Sequence, residues 1–377
     1  MPLPLPLPLP GPAVTSEPSV GDVEVGMTDP VGPDLAPPDL GRLRAALAEA
    51  AAWYRERLLT DRPPLAVATL ADRGLVDLAA DTSPGRRWQL GYAPVSRGCN
   101  EVLEHLRGCG FTDHELVDAG VAVPGRHGAL IDALRHRLVV PLIDSGVDGG
   151  GVVGFTARRL SDGNPAVPKW VNTATTVLYR KGEHLLGVAQ QADLLAAGRG
   201  QVVLVEGAVD AIAVNLAGHI GLAAGGTQLT AAHAAQLRDA AAATGARLLV
   251  AYDGDRAGRE ATLRAADLLA GLDAHAGRLP EGRDPADVLV SAGARGLRRA
   301  LGVTVPLVDA AVAVRLDRWT AHAGNPVALV DAVRDVAGLV TAAPPDTRAR
   351  LVGLVADRLQ LPADLVTATL LDAAAPS

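Results

Sequence analysis

The amino-acid sequence predicts an α/β fold: a doubly wound parallel sheet, preceded by a mixed α+β region and followed by a helical bundle. Strand-like and helix-like segments alternate over residues 200–292, which is typical of a parallel sheet with helices on both faces. Residues 137–160 hold two apolar runs around a Gly-rich turn, which predicts a β-hairpin. Residues 296–373 show the Ala/Leu/Val periodicity of packed helices.

Local patterns predict the individual elements. Apolar residues recur at helical spacing over 40–60, and Pro63 and Pro64 end that helix. Short helical segments broken by Gly and Pro follow over 65–135. The remaining predicted elements are strands 137–144, 152–160, 201–206, 219–224, 247–252 and 274–279, and helices 208–217, 230–244, 256–271 and 285–292.

These patterns divide the chain into four predicted regions. Residues 1–38 are rich in Pro, Gly and Asp, which indicates a disordered leader. The regions that follow are an N-terminal subdomain at 39–195, the parallel sheet at 196–293 and a helical subdomain at 294–377.

Composition limits the class of protein. The chain has 377 residues and a net charge of −7, so contact with nucleic acid requires a local basic patch. No apolar run approaches the roughly 20 residues of a membrane span, and we expect a cytoplasmic protein without a membrane partner. The two cysteines, Cys99 and Cys109, are too few for a four-cysteine site, and no zinc is expected.

Carboxylates follow the predicted strands in three clusters. They are Glu206 and Asp210 after the strand at 201–206, Asp253 and Asp255 after the strand at 247–252, and Asp284 and Asp287 after the weaker strand at 274–279. Because parallel strands end at one edge of a sheet, these side chains can converge there. Hard oxygen ligands gathered in this way suit Mg²⁺ that holds a phosphate.

Each cluster also has a structural interpretation. Acids are favoured at helix N-termini, and Asp-Gly and Asp-Pro are common turns. However, two carboxylates as near as Asp253 and Asp255 repel each other unless a cation neutralises them. Three clusters in order, each at a strand end, favour a metal site.

A basic stretch lies upstream of the acids. Residues 135–182 hold seven Arg or Lys against three acids, including both lysines of the chain, Lys169 and Lys181. Basic groups follow phosphates, and interleaved aromatic rings such as Trp170 can stack on bases; the alternative is a solvated basic face. GGTQ at 225–228 can present backbone N–H groups to a phosphate or form a simple turn. The sequence holds no P-loop motif.

The order of EGAVD, DGD and DPAD resembles that of a Toprim domain, which primases, topoisomerases and some nucleases share. The flanking segments resemble the catalytic core of bacterial DnaG-type primases. These segments include AAAWYRERLL, ADRGLVDLAA, RHRLVVPLID, PKWVNTATTVLYRKGEHLLG and the tail PLVDAAVAVRLDRW, and the similarity extends over about 43–372. It implies that the parallel sheet is a Toprim domain and that residues 39–195 are the primase N-terminal subdomain.

The resemblance implies a function and a set of site residues. The reaction would be synthesis of short RNA primers from NTPs on a single-stranded DNA template, by nucleotidyl transfer that requires Mg²⁺ or Mn²⁺. The implied catalytic ligands are Glu206, Asp253 and Asp255, supported by Asp210 and Asp284; Arg137, Arg158, Lys169 and Lys181 would hold template or nucleotide phosphates, with Asn172 positioning. A replicative helicase or a separate template-recognition protein is a candidate partner.

Two departures from the family pattern keep alternatives open. Primases of this type usually begin with a zinc-binding domain, and this sequence has neither the ligands nor the space for one. In the third acidic cluster Ala286 separates Asp-Pro from Asp287, so Asp287 is left out of the expected ligands. The alternatives are a Toprim nuclease or topoisomerase that cuts DNA with the same metals, and a non-catalytic nucleic-acid-binding accessory protein.

Overall fold

The computed structural model describes most of the chain after the predicted leader. The described residues are 37–95, 100–125, 128–144, 146, 150–160, 166–253, 255–280, 282–319 and 324–374. The predicted leader therefore lies outside them, except for Pro37 and Pro38, and so does Cys99. Residues 38–377 group as one compact unit. Within the described residues, no helix combines the length and apolarity needed to cross a bilayer.

The N-terminal region packs helices against an antiparallel sheet of four strands in the order β1-β4-β5-β6. In chain order its elements are α1 (Leu40–Asp61), α2 (Pro64–Ala71), α3 (Ser83–Trp88), β1 (Gly91–Ala93), α4 (Glu101–Gly108), α5 (Asp113–Asp118), β2 (Ala122–Pro124), β3 (Leu130–Asp132), β4 (Arg137–Asp144), β5 (Gly151–Arg159), β6 (Trp170–Asn172) and α6 (Ala192–Ala196). Strands β2 and β3 form a separate antiparallel pair.

Helix α1 lies directly on this antiparallel sheet. Tyr54 of α1 packs edge to face on Phe155 of β5, with ring centroids 5.6 Å apart. Strand β1 comes so close that a Cβ on Gly91 would lie 2.5 Å from the Cβ of Tyr54. Only glycine allows that approach, so the sheet and α1 share one core.

A second, five-stranded sheet follows, in the order β11-β10-β9-β7-β8. Its elements are β7 (Val202–Val205), α7 (Ala208–Leu216), β8 (Ile220–Ala223), α8 (Ala231–Thr244), β9 (Leu248–Val250), α9 (Arg256–Leu268), β10 (Ala274–Gly277), α10 (Pro285–Leu301) and β11 (Thr304–Pro306). Strands β7, β8, β9 and β10 run parallel, and β11 pairs antiparallel with β10.

Alternate residues of the parallel strands enter different cores. Val203 and Val205 of β7 pack in the cluster that holds α7 and α10, whereas Val202 and Leu204 pack in the cluster that holds α8 and α9. Because successive strand residues point to opposite faces, continuous apolar strands require helices on both sides. The predicted doubly wound arrangement is thereby confirmed.

The chain ends in a helical bundle with its own core. Its helices are α11 (Leu307–Asp317), α12 (Pro326–Thr341), α13 (Pro345–Leu359) and α14 (Ala363–Ala374). Val312, Val336, Leu351 and Val366 are buried together between them.

The structure adds five short strands that the sequence patterns did not predict: β1, β2, β3, β6 and β11. Each has three residues and lies at an edge of its sheet, too short for a period of two to be visible. Strand β11 lies in the predicted helical subdomain yet extends the parallel sheet, and α10 continues past the predicted boundary at 293–294 with a bend at Gly293. The predicted region boundaries stay predictions, with this overlap between the last two.

Candidate active site

Four carboxylates meet at the carboxyl end of the parallel sheet. Glu206 follows β7, Asp253 follows β9, Asp210 lies in the first turn of α7, and Asp284 is the N-cap of α10. All four line one cavity of about 310 Å³. We call these four residues the acidic wall. The predicted convergence of acids from separate strands takes place here.

A close approach of α9 positions Asp253. A Cβ on Gly258 would lie 1.9 Å from the carbonyl oxygen of Asp253, so only glycine lets the first turn of α9 come so near. The backbone N–H of Asp253 in turn donates to Glu206 Oε1 at 3.4 Å. The glycine at 258 therefore lets α9 begin directly against the strand end that carries Asp253.

The acids of this wall repel one another. Burial, then the charges of Asp284 and Asp253, raises the pKa of Asp210 to about 8. Burial and the Asp253 charge raise the pKa of Glu206, and burial and the Asp284 charge raise that of Asp253. Carboxyl groups this crowded are stabilised by a cation, and their hard oxygen atoms are the ligands that Mg²⁺ prefers. The donor set thus fits a divalent metal ion.

Another part of the lining of the same cavity comes from the antiparallel sheet and the residue before β6. Thr156 and Arg158 of β5, Lys169 and Trp170 line it, and we call Arg158, Lys169 and Trp170 the basic wall. Pairing of Arg158 with Trp170 in the β5–β6 register brings two separate segments side by side. The cavity therefore joins carboxylates with cations and an aromatic ring.

A glycine pair completes the lining of this cavity. Gly225 and Gly226 both adopt positive φ, 66° and 76°, and line the cavity. The side-chain amide of Asn172 donates to the carbonyl oxygen of Gly225 at 2.9 Å. Asn172 therefore positions this turn, and GGTQ forms part of the cavity wall.

Two family models match the chain over these two halves. The DNA primase catalytic core, N-terminal domain, matches residues 53–192, and the Toprim-like family matches residues 203–289. The crystal structure of the RNA polymerase domain of Mycobacterium tuberculosis primase DnaG is 31% identical in sequence, with a TM-score of 0.70, and the match covers 85% of this chain and 99% of that domain. This chain belongs to the DnaG-type primase family.

Further relatives support the same family membership. The same M. tuberculosis domain in complex with a double-stranded DNA oligomer with a 6-nucleotide overhang matches with a TM-score of 0.68 and 31% identity, over 86% of this chain and 99% of that one. The DNA primase of Streptomyces coelicolor is 35% identical over 304 residues, which are 78% of this chain and 45% of that protein. A DNA primase of M. tuberculosis is 37% identical over 279 residues, 72% of this chain and 42% of the relative. The chain thus spans less than half the length of these curated relatives.

Asp255 lies at the rim of the cavity of this primase core. It is exposed, caps α9 by accepting from the backbone N–H of Gly258 at 2.8 Å, and does not line the cavity. Its charge nevertheless contributes to the raised pKa of Glu206 and Asp253. Both interpretations of the DGD motif, helix cap and acid pair, therefore apply to the same residue.

Arg137 lies elsewhere than the resemblance implied. It is 7% exposed, and both terminal nitrogens donate to the carbonyl oxygen of Pro168 at 3.1 Å. This corrects its expected role as a phosphate ligand, since a buried guanidinium bound to backbone cannot meet a nucleic acid. It holds the segment that presents Lys169. Lys181 is exposed and does not line the cavity.

Sequence reasoning missed Arg73, which follows α2. Its Nη1 lies 2.9 Å from Asp284 Oδ2 and 3.3 Å from Asp287 Oδ1, and it lines the cavity. Its charge lowers the pKa of Asp210 and Asp253, against the stronger effects that raise both. The only available signal was one arginine in ADRGL, 211 residues before Asp284 along the chain. Asp287 contacts this arginine and does not line the cavity.

Proposed function

We propose that this chain is the catalytic core of a DNA primase, which synthesises short RNA primers from NTPs on single-stranded DNA. The observation that carries the proposal is that the acidic wall and the basic wall line one cavity. A reaction between a triphosphate and a primer end needs both a metal site and cations for phosphates. Membership of the primase family supports the same reaction.

We assign the acidic wall to the metal. Glu206, Asp210, Asp253 and Asp284 would hold Mg²⁺ or Mn²⁺, with Asp255 supporting from the rim. When bound, the ion supplies Lewis-acid activation of the attacking hydroxyl and neutralises phosphate charge. The carboxylates would hold this ion at the sheet edge, where its positive charge would offset their mutual repulsion and displace the protons that their raised pKa values favour.

We assign the basic wall to the nucleotide and template. Arg158 and Lys169 would contact phosphates, and the ring of Trp170 offers a surface for a base. Asn172 would act through the turn at Gly225, and Arg137 through the backbone of Lys169. Lys181, outside the cavity, would contact template that leaves it. We place the activity in the cytoplasm, with a replicative helicase or a template-recognition protein as partner.

The test is primer synthesis on single-stranded DNA with NTPs and Mg²⁺ or Mn²⁺. Asp253→Asn should abolish synthesis while it retains single-stranded DNA binding and the melting temperature. Asp239→Asn, an exposed acid on α8, is the matched control and should leave synthesis unchanged. Synthesis by Asp253→Asn at the wild-type rate would refute the assignment.

Strand cleavage is the competing chemistry for a Toprim metal site. All four tyrosines lie in the described residues, and none lines this cavity. Tyr252 comes nearest to the acids: it lines a separate pocket together with Glu206, and that pocket holds none of the other three acids. Burial and the charge of Glu206 raise the pKa of the Tyr252 phenol. Supercoiled and linear DNA incubated with protein and metal would be nicked or relaxed by a nuclease or topoisomerase. Metal-independent DNA binding without synthesis or cleavage would instead favour the non-catalytic accessory protein.

A further inference from the structure

Three side chains of metal-ligating types meet on the helical layer of the N-terminal region, outside the cavity of the active site. Glu49 comes from α1, His105 from α4, and Cys109 is the residue that ends α4. His105 Nε2 lies 2.8 Å from Glu49 Oε1, and Cys109 Sγ lies 3.8 Å from the same nitrogen and 3.9 Å from the same oxygen. Each residue offers one ligand atom, and the three atoms lie within 4.8 Å of one another.

We propose that Glu49, His105 and Cys109 form a Zn²⁺ site that joins α1 to α4. A tetrahedral zinc ion with bonds of about 2.0 to 2.3 Å separates its ligand atoms by about 3.3 to 3.6 Å. The three observed separations differ from that spacing by about 0.5 Å or less, which side-chain rotation can supply. Sulfur and imidazole ligands select zinc over Mg²⁺, so the site differs in kind from the acidic wall.

The backbone around the three residues favours a cation. His105 and Cys109 are four residues apart at the end of a helix, which places both side chains on one face. The carbonyl groups at that end carry partial negative charge, which stabilises a bound cation. Trp53 of α1 packs on the His105 ring with centroids 6.1 Å apart, and this contact limits where the imidazole can turn.

The neighbouring charges leave the three ligands available. Among the described residues, His105 is the only ion-pair partner of Glu49. The nearby guanidinium groups are paired elsewhere, Arg42 with Glu115 and Arg107 with Asp113.

Three protein ligands leave the fourth position of a tetrahedral ion to water. Cys109 is exposed and Glu49 and His105 are half-buried, so an ion can enter from solvent. The cluster holds two helices of the same layer, and zinc bound there should stabilise the fold. Two cysteines are too few for a four-cysteine zinc site, but a site that combines glutamate, histidine and cysteine needs only one.

The proposal is tested by Zn²⁺ titration of the full chain, freed of metal, in excess Mg²⁺ so that the hard ion occupies the carboxylate cavity. Wild-type protein should bind one equivalent of Zn²⁺ and melt at a higher temperature with it. Cys109→Ser and His105→Ala should each weaken binding at least about 10-fold and lose the rise in melting temperature. Co²⁺ in place of zinc should give a thiolate-to-metal absorption band that Cys109→Ser lacks.

Matched controls separate this site from other thiols and histidines. Cys99→Ser removes the other cysteine, and His114→Ala removes an exposed histidine that pairs with Asp118 four residues along. Both variants should bind Zn²⁺ as the wild type does. The proposal is overturned if the wild type binds no Zn²⁺, or if Cys109→Ser binds it with unchanged affinity.

Discussion

The two walls of the active-site cavity are built on opposite principles. The acidic wall gathers side chains from residues 206 to 284, one strand end or helix start at a time, because parallel strands all end at one edge. The basic wall comes from residues 158 to 170, from two antiparallel neighbours whose pairing sets which side chains lie together. One wall depends on topology, and the other depends on register.

The walls also differ in electrostatics. The acids are partly buried and repel one another, so the pKa values of Glu206, Asp210 and Asp253 rise, and the charge of Arg73 only partly offsets this for Asp210 and Asp253. Lys169 of the basic wall is exposed. The structure thus places a site that requires an ion beside a surface that can meet a long, mobile polyanion. Variants of the acidic wall should therefore affect catalysis, and variants of the basic wall should affect DNA binding.

The largest loss of primer synthesis is expected from a substitution in the acidic wall. Glu206→Gln keeps the shape of the side chain but removes its charge, and primer synthesis should fall at least about 100-fold. Single-stranded DNA affinity should change by less than about twofold, because the variant leaves the phosphate-binding cations in place. Synthesis on a defined template and fluorescence anisotropy measure the two quantities.

The control for that variant is Glu56→Gln, an exposed glutamate on α1, which should behave as wild type. If Glu206→Gln lost DNA affinity and synthesis in equal proportion, the division of roles between the walls would be wrong.

A smaller effect, on DNA affinity, is expected from a substitution in the basic wall. Lys169→Ala should lower single-stranded DNA affinity by about 3- to 10-fold and reduce the slope of log affinity against log salt by about 0.7, the value for one phosphate contact. The rate at saturating template should fall much less than in Glu206→Gln. Salt titrations of DNA binding provide the measurement.

Lys181→Ala is the matched comparison, since Lys181 is the other lysine and lies outside the cavity. It should have the smaller effect on both affinity and salt slope. Equal effects of the two variants would mean that the template contacts extend well beyond the basic wall.

The smallest effect concerns stability and pH. The pKa of Asp210 rises from 3.8 to about 8 in the folded protein. The folded state therefore favours the protonated carboxyl group, and the stability that Asp210 contributes is fully present below about pH 4. It is lost as the pH rises through about 8 and the buried group has to ionise. Asp210→Asn is uncharged throughout and lacks this loss. Without metal, the melting temperature of the variant minus that of the wild type should increase between pH 4 and 8.

Saturating Mg²⁺ should reduce this difference at pH 8, because the ion stabilises the charged acids of the wild type. A difference that stays constant with pH in chelator would contradict the burial and repulsion that raise the pKa of Asp210.

Much of this fold could be predicted because its longer elements have clear periodicity. The strand at β7 and its neighbours are continuous apolar runs between helical patterns, which only a two-sided parallel sheet explains. Strand β11 could not be predicted, since three residues take their conformation from pairing with β10. The same holds for β6, although its pairing creates the basic wall.

The residues of the candidate active site also divide into those that local sequence could predict and those that it could not. Glu206, Asp210, Asp253 and Asp284 were predictable because each lies directly at a strand end or a helix start, where local sequence fixes position. Arg137 and Lys181 were grouped with Lys169 by charge and proximity in sequence. In the structure, however, Arg137 is buried and Lys181 lies outside the cavity. Nearness along a chain does not specify which way an antiparallel pair turns its side chains.

The sequence by itself determined the fold class and the acidic clusters, because hydrophobic periodicity and strand-end position are local properties. Only the tertiary structure decided that Arg73 meets Asp284, that Asn172 holds the Gly225 turn, and that Glu49, His105 and Cys109 lie close together. Each of these contacts joins elements distant in the chain. Their partners are set by packing and sheet register, which no window of sequence contains.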